Sequence, residues 1–252
     1  MLKSMIRASR AAGNFLCKHQ CAAVQIAQSY KDFVTDADLK SEKIILQVMD
    51  GLVPVYSEEA GGKLTPHGVY LVVDPLDGSI NYFSQDARFW GVSLALVNSG
   101  KSQIGLLNFP ANDYMIGATS GGLFTVDSSD VLCGSDLKVS KNKSLKSARV
   151  WTDWSKDNML TLVVAAKLRQ LGLYPQIRLC ATASLLEVAS GRIDGYIHPG
   201  PQPEDIAAAG MIVEQAGGVV TDMDGKPWSV FSKSIVATNG LIHNELVETL
   251  QS

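Results

Sequence analysis

Apolar residues recur at three- and four-residue steps from the start of the chain: Met5, Ile6, Ala12, Phe15 and Leu16, then Val24. That period predicts an opening amphipathic helix. A second helix is predicted from about Asp38 to Asp50, with Leu39, Ile44, Ile45 and Val48 at its core positions and Gly51 as its stop. The texture then changes to short β-rich runs at 69–73, 90–97 and 102–108, separated by turn residues such as Asn98-Ser99-Gly100. Alternation over 90–97 predicts a strand with two unlike faces. From about residue 135, strand and helix patterns alternate. A strand is predicted at 148–152, helices at 158–171 and 182–190, the latter stopped by Gly191, and a further strand at 194–198. A last helix runs from Asp205, read as its N-cap, to Ala216, and ends at Gly217-Gly218. The pattern predicts a single domain of two lobes, α+β over 1–135 and α/β over 136–252.

Composition narrows the class. With 46% hydrophobic and 19% charged residues in 252, the chain has ample material for a core, and global disorder is excluded. Lys and Arg total 22 against 25 Asp and Glu, a formal charge of −3, which gives no broad attraction to nucleic acid or to an anionic membrane. The clearest apolar stretch, 160–166, is ended by Lys167, far short of the roughly 20 residues of a spanning helix. The N-terminal residues carry Arg, Ser and Ala as a transit peptide does, but lack a continuous apolar run and read better as an ordinary amphipathic helix. Four cysteines (Cys17, Cys21, Cys133, Cys180) form no CxxC pair. Reduced, buried thiols in a cytoplasmic protein are the expectation.

The chemistry concentrates at the ends of predicted elements. In Leu71-Val72-Val73-Asp74-Pro75-Leu76-Asp77-Gly78-Ser79 an apolar strand runs into a turn with two carboxylates three residues apart. Charge at the end of a buried strand is costly unless a cation is held there. Asp74, Asp77 and the Leu76 carbonyl are the hard oxygen ligands that could bridge two divalent ions, and the Gly78 and Ser79 amides could receive a phosphate oxygen. Three other acidic turns accompany it: Thr35-Asp36-Ala37-Asp38 with Glu42, Ser57-Glu58-Glu59 after a short strand, and Pro203-Glu204-Asp205 before Ala207-Ala208-Ala209-Gly210. Each has an ordinary structural reading as a turn, a solvated surface or a helix start. Four such turns in one chain of modest charge point to a shared site.

The segment Asp74-Pro75-Leu76-Asp77-Gly78-Ser79-Ile80-Asn81-Tyr82 resembles the signature of the inositol monophosphatase family, the Mg2+-dependent, lithium-sensitive phosphomonoesterases. Val34–Asp38, Ser57–Glu59, Asp205–Gly210 with Glu214–Gly218, and the stretch Val188–Tyr196 extend the resemblance over essentially the whole chain. It implies a layered αβαβα sandwich of the sugar phosphatase type with the active site between the lobes. It implies two or three Mg2+ ions held by Glu58, Asp74, the Leu76 carbonyl, Asp77 and Asp205. Asp38 and the Ser79 hydroxyl, with Glu58, would activate water, and Asp77, Gly78, Ser79 and Asp205 would bind substrate. A homodimer acting on a small phosphorylated metabolite is implied as well.

The chain departs from the family at several positions. Ser79 stands where many members have Thr, and Glu204 where Trp commonly precedes the second-lobe aspartate. Leu179-Cys180-Ala181-Thr182 replaces a Gly-[ST]-Ala-Ala turn, and His198 begins a proline-rich turn without the usual carboxylate or arginine. These changes leave the chemistry intact and the substrate open. An inositol, polyol or sugar phosphate heads the expectation, with 3′-phosphoadenosine 5′-phosphate and fructose 1,6-bisphosphate as alternatives. A regulatory protein-binding relative is the reading from another class.

Overall fold

A computed structural model describes residues 1–28, 33–155 and 158–251. The opening periodicity becomes helix α1 (Leu2–His19), which buries Met5, Ile6, Ala8, Ala12 and Leu16. Val24, expected in the same stripe, is 60% exposed, because a 3-10 turn (Gln20–Ala22) takes the chain off the helix axis. Strands β1 (Gln25–Gln28) and β2 (Phe33–Thr35) then pair antiparallel.

Helix α2 (Asp36–Met49) starts two residues before the predicted Asp38. Thr35 caps it, and the Asp38 side chain returns to the Thr35 backbone in a capping box. Its inward face carries Ala37, Asp38, Ser41, Glu42, Ile45 and Met49. Leu39 is 43% exposed, which corrects its assignment to the core: the polar residues took the inward stripe because that stripe lines the site.

The first sheet is seven-stranded among the described residues. Its strands are β3 (Val55–Ser57), β4 (Val69–Asp77), β5 (Gly91–Asn98), β6 (Lys101–Phe109), β7 (Tyr114–Thr119), β8 (Gly122–Val126) and β9 (Leu132–Gly134), in that spatial order. Only the β3–β4 pairing is parallel. The short helix α3 (Ser79–Phe83) follows β4. Contrary to the expected unlike faces, β5 is covered on both. Val92 and Leu94 join the cluster under α1 and α2, and Ala95 and Val97 join the cluster on the opposite side.

The second sheet pairs β10 (Val150–Thr152), β11 (Gly195–His198), β13 (Ile235–Thr238) and β12 (Val219–Thr221), in that order. Between its strands run α4 (Asn158–Gln170), α5 (Ala181–Ala189) and α6 (Pro203–Gln215), and α7 (His243–Gln251) ends the described chain. Helix α6 begins at Pro203, not at Asp205. Gln202 is its N-cap, and proline suits the first helical position, where its missing N–H costs nothing.

Buried clusters define the layers. Helices α1 and α2 cover one face of the first sheet. Helices α5 and α6 fill the space between the two sheets, and α4 and α7 cover the far face of the second. The result is the αβαβα sandwich that the resemblance implied. The small residues of α6 make the middle layer thin. A side chain at Gly105 of β6 would stand 2.7 Å from the Ala208 carbonyl, and Ser102 Oγ donates to the Ala207 carbonyl at 2.6 Å. The cysteine expectation is corrected in part: Cys180 is buried, but Cys17, Cys21 and Cys133 are exposed, on parts of their elements that no layer covers. No described helix is long and apolar enough to cross a membrane.

Candidate active site

Strand β4 delivers the two carboxylates of the central motif. In a regular strand, residues three apart point to opposite faces. Here Asp74 pairs with Ser93 and Asp77 with Gly91, so β4 carries one extra residue between them, a bulge that offsets the parity. The bulge is held from outside: Ser41 Oγ of α2 donates to the Pro75 carbonyl at 2.7 Å, and the Leu76 N–H donates to Asp74 Oδ1 at 2.9 Å. Gly78 then turns the chain at φ +83°, with no room for a side chain, since a Cβ there would lie 2.3 Å from the Phe89 carbonyl oxygen.

Four other elements bring groups to this turn. From the start of α2, Asp38 accepts the Thr35 N–H at 2.8 Å and the Thr35 hydroxyl at 2.5 Å on Oδ2, while its Oδ1 lies 2.5 Å from Ser79 Oγ. Ser79 Oγ is also 3.0 Å from the Leu76 carbonyl. From the start of α5, Thr182 and Cys180 reach Asp77. From the start of α6, Asp205 accepts the Gln202 N–H at 2.6 Å on Oδ2. Glu58 follows the end of β3, and its N–H donates to the Val73 carbonyl of β4 at 3.2 Å, which sets it beside Asp74. Glu58 keeps an exposed surface and Asp205 is half-buried, so both open to the cleft, whereas Asp38, Asp74 and Asp77 are buried.

Electrostatics mark the cluster as incomplete by itself. Although the residue keeps an exposed surface, loss of water around its carboxyl, then the charges of Asp205 and Glu204, push Glu58 well above the usual carboxylate range. Burial, followed by Glu58 and Asp77, does the same to Asp74, and burial with Glu204 does so to Asp205. Asp77 and Asp38 are raised by burial against their hydrogen bonds. Among the described residues no Lys or Arg forms an ion pair with any of these five. In Asp74, Asp77 and Asp205 a backbone N–H anchors one carboxylate oxygen and leaves the other outside that bond. Anchored carboxylates with a second oxygen, repelling one another, are a donor set that suits hard divalent cations. The set is gathered, not closed: among the described residues no three His, Cys, Asp or Glu side chains already surround one point that would hold a metal ion.

The structure thus brings Asp38, Glu58, Asp74, Leu76, Asp77, Gly78, Ser79 and Asp205 to one cleft. It turns Asp36 of the same motif away, into an ion pair with Lys40 and a hydrogen bond with the His19 ring. Glu42 is also held apart, accepting the Ala60 N–H at 2.9 Å. Several residues of the site carried no assigned role in the motif reading. Thr35, Cys180 and Thr182 are the hydrogen-bond partners just described. Asn81 Nδ2 reaches the carbonyls of Phe89 and Arg178, each at 2.8 Å, tying α3 to the turn before α5. Buried Asp153 accepts the Leu179 N–H at 3.2 Å and faces the Tyr196 hydroxyl at 3.3 Å. The departure at 179–182 was a visible signal, but not what it touched. His198 is buried and its pKa is lowered to about 3 by that burial, so it is a neutral imidazole whose Nδ1 accepts the Gly200 N–H at 3.2 Å.

Comparison with known proteins identifies the family and the fold. The model of the inositol monophosphatase family matches residues 1–252. The chain is 30% identical over 251 residues to a fructose-1,6-bisphosphatase/inositol-1-monophosphatase of Thermotoga maritima, covering 97% of this chain and 93% of the relative. It is also 30% identical over 257 residues to Nus factor SuhB of Escherichia coli K12, covering 95% and 91%. A solved Thermotoga maritima IMPase superposes with a TM-score of 0.84 at 28% identity, covering 99% of this chain and 96% of that one.

Proposed function

The chain belongs to the inositol monophosphatase family, and on that premise we propose that it hydrolyses a small phosphate monoester with Mg2+, foremost inositol 1-phosphate or a related polyol or sugar phosphate. The observation that carries this reading is the meeting of the Asp38–Ser79 pair with four carboxylates that no Lys or Arg neutralises among the described residues. Glu58, Asp74, the Leu76 carbonyl, Asp77 and Asp205 would hold two or three ions. Bound there, Mg2+ supplies Lewis acidity toward the phosphate and makes water a usable nucleophile near neutral pH.

The chain's own residues do the rest. Ser79 takes a proton from the attacking water as its own passes to Asp38 Oδ1, 2.5 Å away. Thr35 holds the other Asp38 oxygen, so the accepting oxygen stays fixed on Ser79. The Gly78 and Ser79 amides orient the phosphate, and Asp77 and Asp205 face the substrate. Glu58 assists from the open side of the cleft. In this reading residues 1–135 and 136–252 act as two lobes of one domain, a homodimer working in the cytoplasm without nucleic acid or membrane.

The test is phosphate release from inositol 1-phosphate, fructose 1,6-bisphosphate, 3′-phosphoadenosine 5′-phosphate and an aryl phosphate, with Mg2+ present and then chelated. Release that needs Mg2+ and is greatest with inositol 1-phosphate is expected. A preference for either bisphosphate would move the substrate to that branch. No release from any of them would overturn the enzyme reading and favour a protein-binding role of the kind the name Nus factor denotes for SuhB.

A further inference from the structure

Asp77, at the end of β4, is held from the start of α5. Its Oδ2 accepts the Thr182 N–H at 2.7 Å and the Thr182 hydroxyl at 2.5 Å, and Cys180 Sγ lies 3.2 Å away. Cys180, the N-cap of α5, offers that helix no side-chain cap, so the Asp77 carboxylate occupies the capping place from another strand. Thr182 is 1% exposed and Asp77 8%. With three donors converging on Oδ2, rotation of the carboxylate is restricted and Oδ1 is the oxygen these donors leave aside.

We propose that Thr182 is a positioning residue: its hydroxyl, with its N–H, pins Asp77 so that Oδ1 alone faces the cation and the substrate. This rests on the metal-dependent reading above. The hydroxyl is the separable part of the clamp. The N–H stays in any variant, and a thiol is a weak donor, so neither replaces a 2.5 Å hydroxyl bond. Outer partners of ligating carboxylates fix the ligand's orientation, and their loss typically weakens metal binding by about 10–100-fold.

The experiment compares wild type, Asp77→Asn, Thr182→Val, Thr182→Ala and Thr182→Ser. Mn2+ affinity is read from the free ion by electron paramagnetic resonance, and thermal stability is read on the metal-free proteins. Thr182→Val removes the donor at nearly constant volume, and should weaken Mn2+ binding about 10–100-fold. Thr182→Ala carries the same comparison if the valine variant fails to fold. Thr182→Ser should restore affinity to within about three-fold of wild type, since the donor returns without the methyl. Wild-type affinity in Thr182→Val and Thr182→Ala, with only the melting temperature lowered, would overturn the proposal and leave Thr182 a helix cap. If wild type itself failed to bind Mn2+, or Asp77→Asn bound it unchanged, the metal-dependent reading would fall first, and the clamp with it.

Discussion

Two left-handed turns face each other across the cleft. One is at Gly78, φ +83°, after β4; the other is at Leu179, φ 55°, before α5. The first has no space for any side chain: an added Cβ would overlap the Phe89 carbonyl and come within 3.2 Å of Cys180 Cβ. The second carries a whole leucine, half-buried, in a backbone region that costs a branched L-residue roughly 1–2 kcal/mol. The turns are alike in dihedral angle and unlike in tolerance. Steric room, more than φ, decides where glycine is obligatory. The first turn holds two carboxylates and the Gly78 and Ser79 amides. The second, where the sequence departs from the family pattern, is propped by Asp153 at the Leu179 N–H and by Asn81 at the Arg178 carbonyl.

The sharpest break is chemical. Asp74→Asn should keep the fold, because the amide oxygen still accepts the Leu76 N–H, and should reduce Mg2+-dependent turnover by more than the roughly 100-fold typical of losing an outer partner. Steady-state phosphate release, beside a circular-dichroism spectrum matching wild type, measures it. Next is Gly78→Ala. The overlap with backbone and the positive φ together should cost about 2–4 kcal/mol in urea denaturation and displace the Ser79 amide, lowering activity as well.

A third test titrates the prop of the second turn. Burial pushes Asp153 up to about 7 from an ordinary 3.8. Between those values the folded protein keeps a proton that the unfolded chain releases. Stability from this group is therefore full below about pH 4 and lost as pH rises to about 7. His198 acts oppositely: lowered to about 3 from 6.5, it costs stability as pH falls below 6.5. Asp153→Asn, with the amide group toward the Tyr196 hydroxyl, should flatten the fall in urea stability between pH 5 and 8 by an amount on the order of 1–3 kcal/mol. An unchanged slope would place Asp153 as an ordinary ionised carboxylate. The smallest effect is expected from Leu179→Gly: relief of the left-handed strain is offset by about 1 kcal/mol of added chain entropy, so denaturation should shift by no more than about 1 kcal/mol. A large loss there would mean the two turns are equally demanding, and the comparison would fail.

Much of this architecture is written in short stretches of chain. The helical stripe of α1, the runs that became β4, β5 and β6, and the acidic turn of Asp74 to Ser79 are set by neighbours within a few residues. Periodicity, caps and turn residues therefore expose them. Strands β7 to β9, β12 and β13 and helix α7 carry no such mark. They are three to nine residues long, with patterns too brief to show a period, and they exist because a neighbouring strand or layer completes them. The exposure of three cysteines and the inward polar stripe of α2 were settled by packing in the same way.

The residue types of the site were thus determined by the sequence alone, since a run of paired carboxylates, a glycine and a hydroxyl is a local statement about chemistry. Which oxygen of each carboxylate is anchored and which is left for a ligand was decided only in three dimensions. Thr182 lies 105 residues from Asp77, and a hydrogen bond over that separation depends on how α5 packs between the two sheets, which no local pattern records.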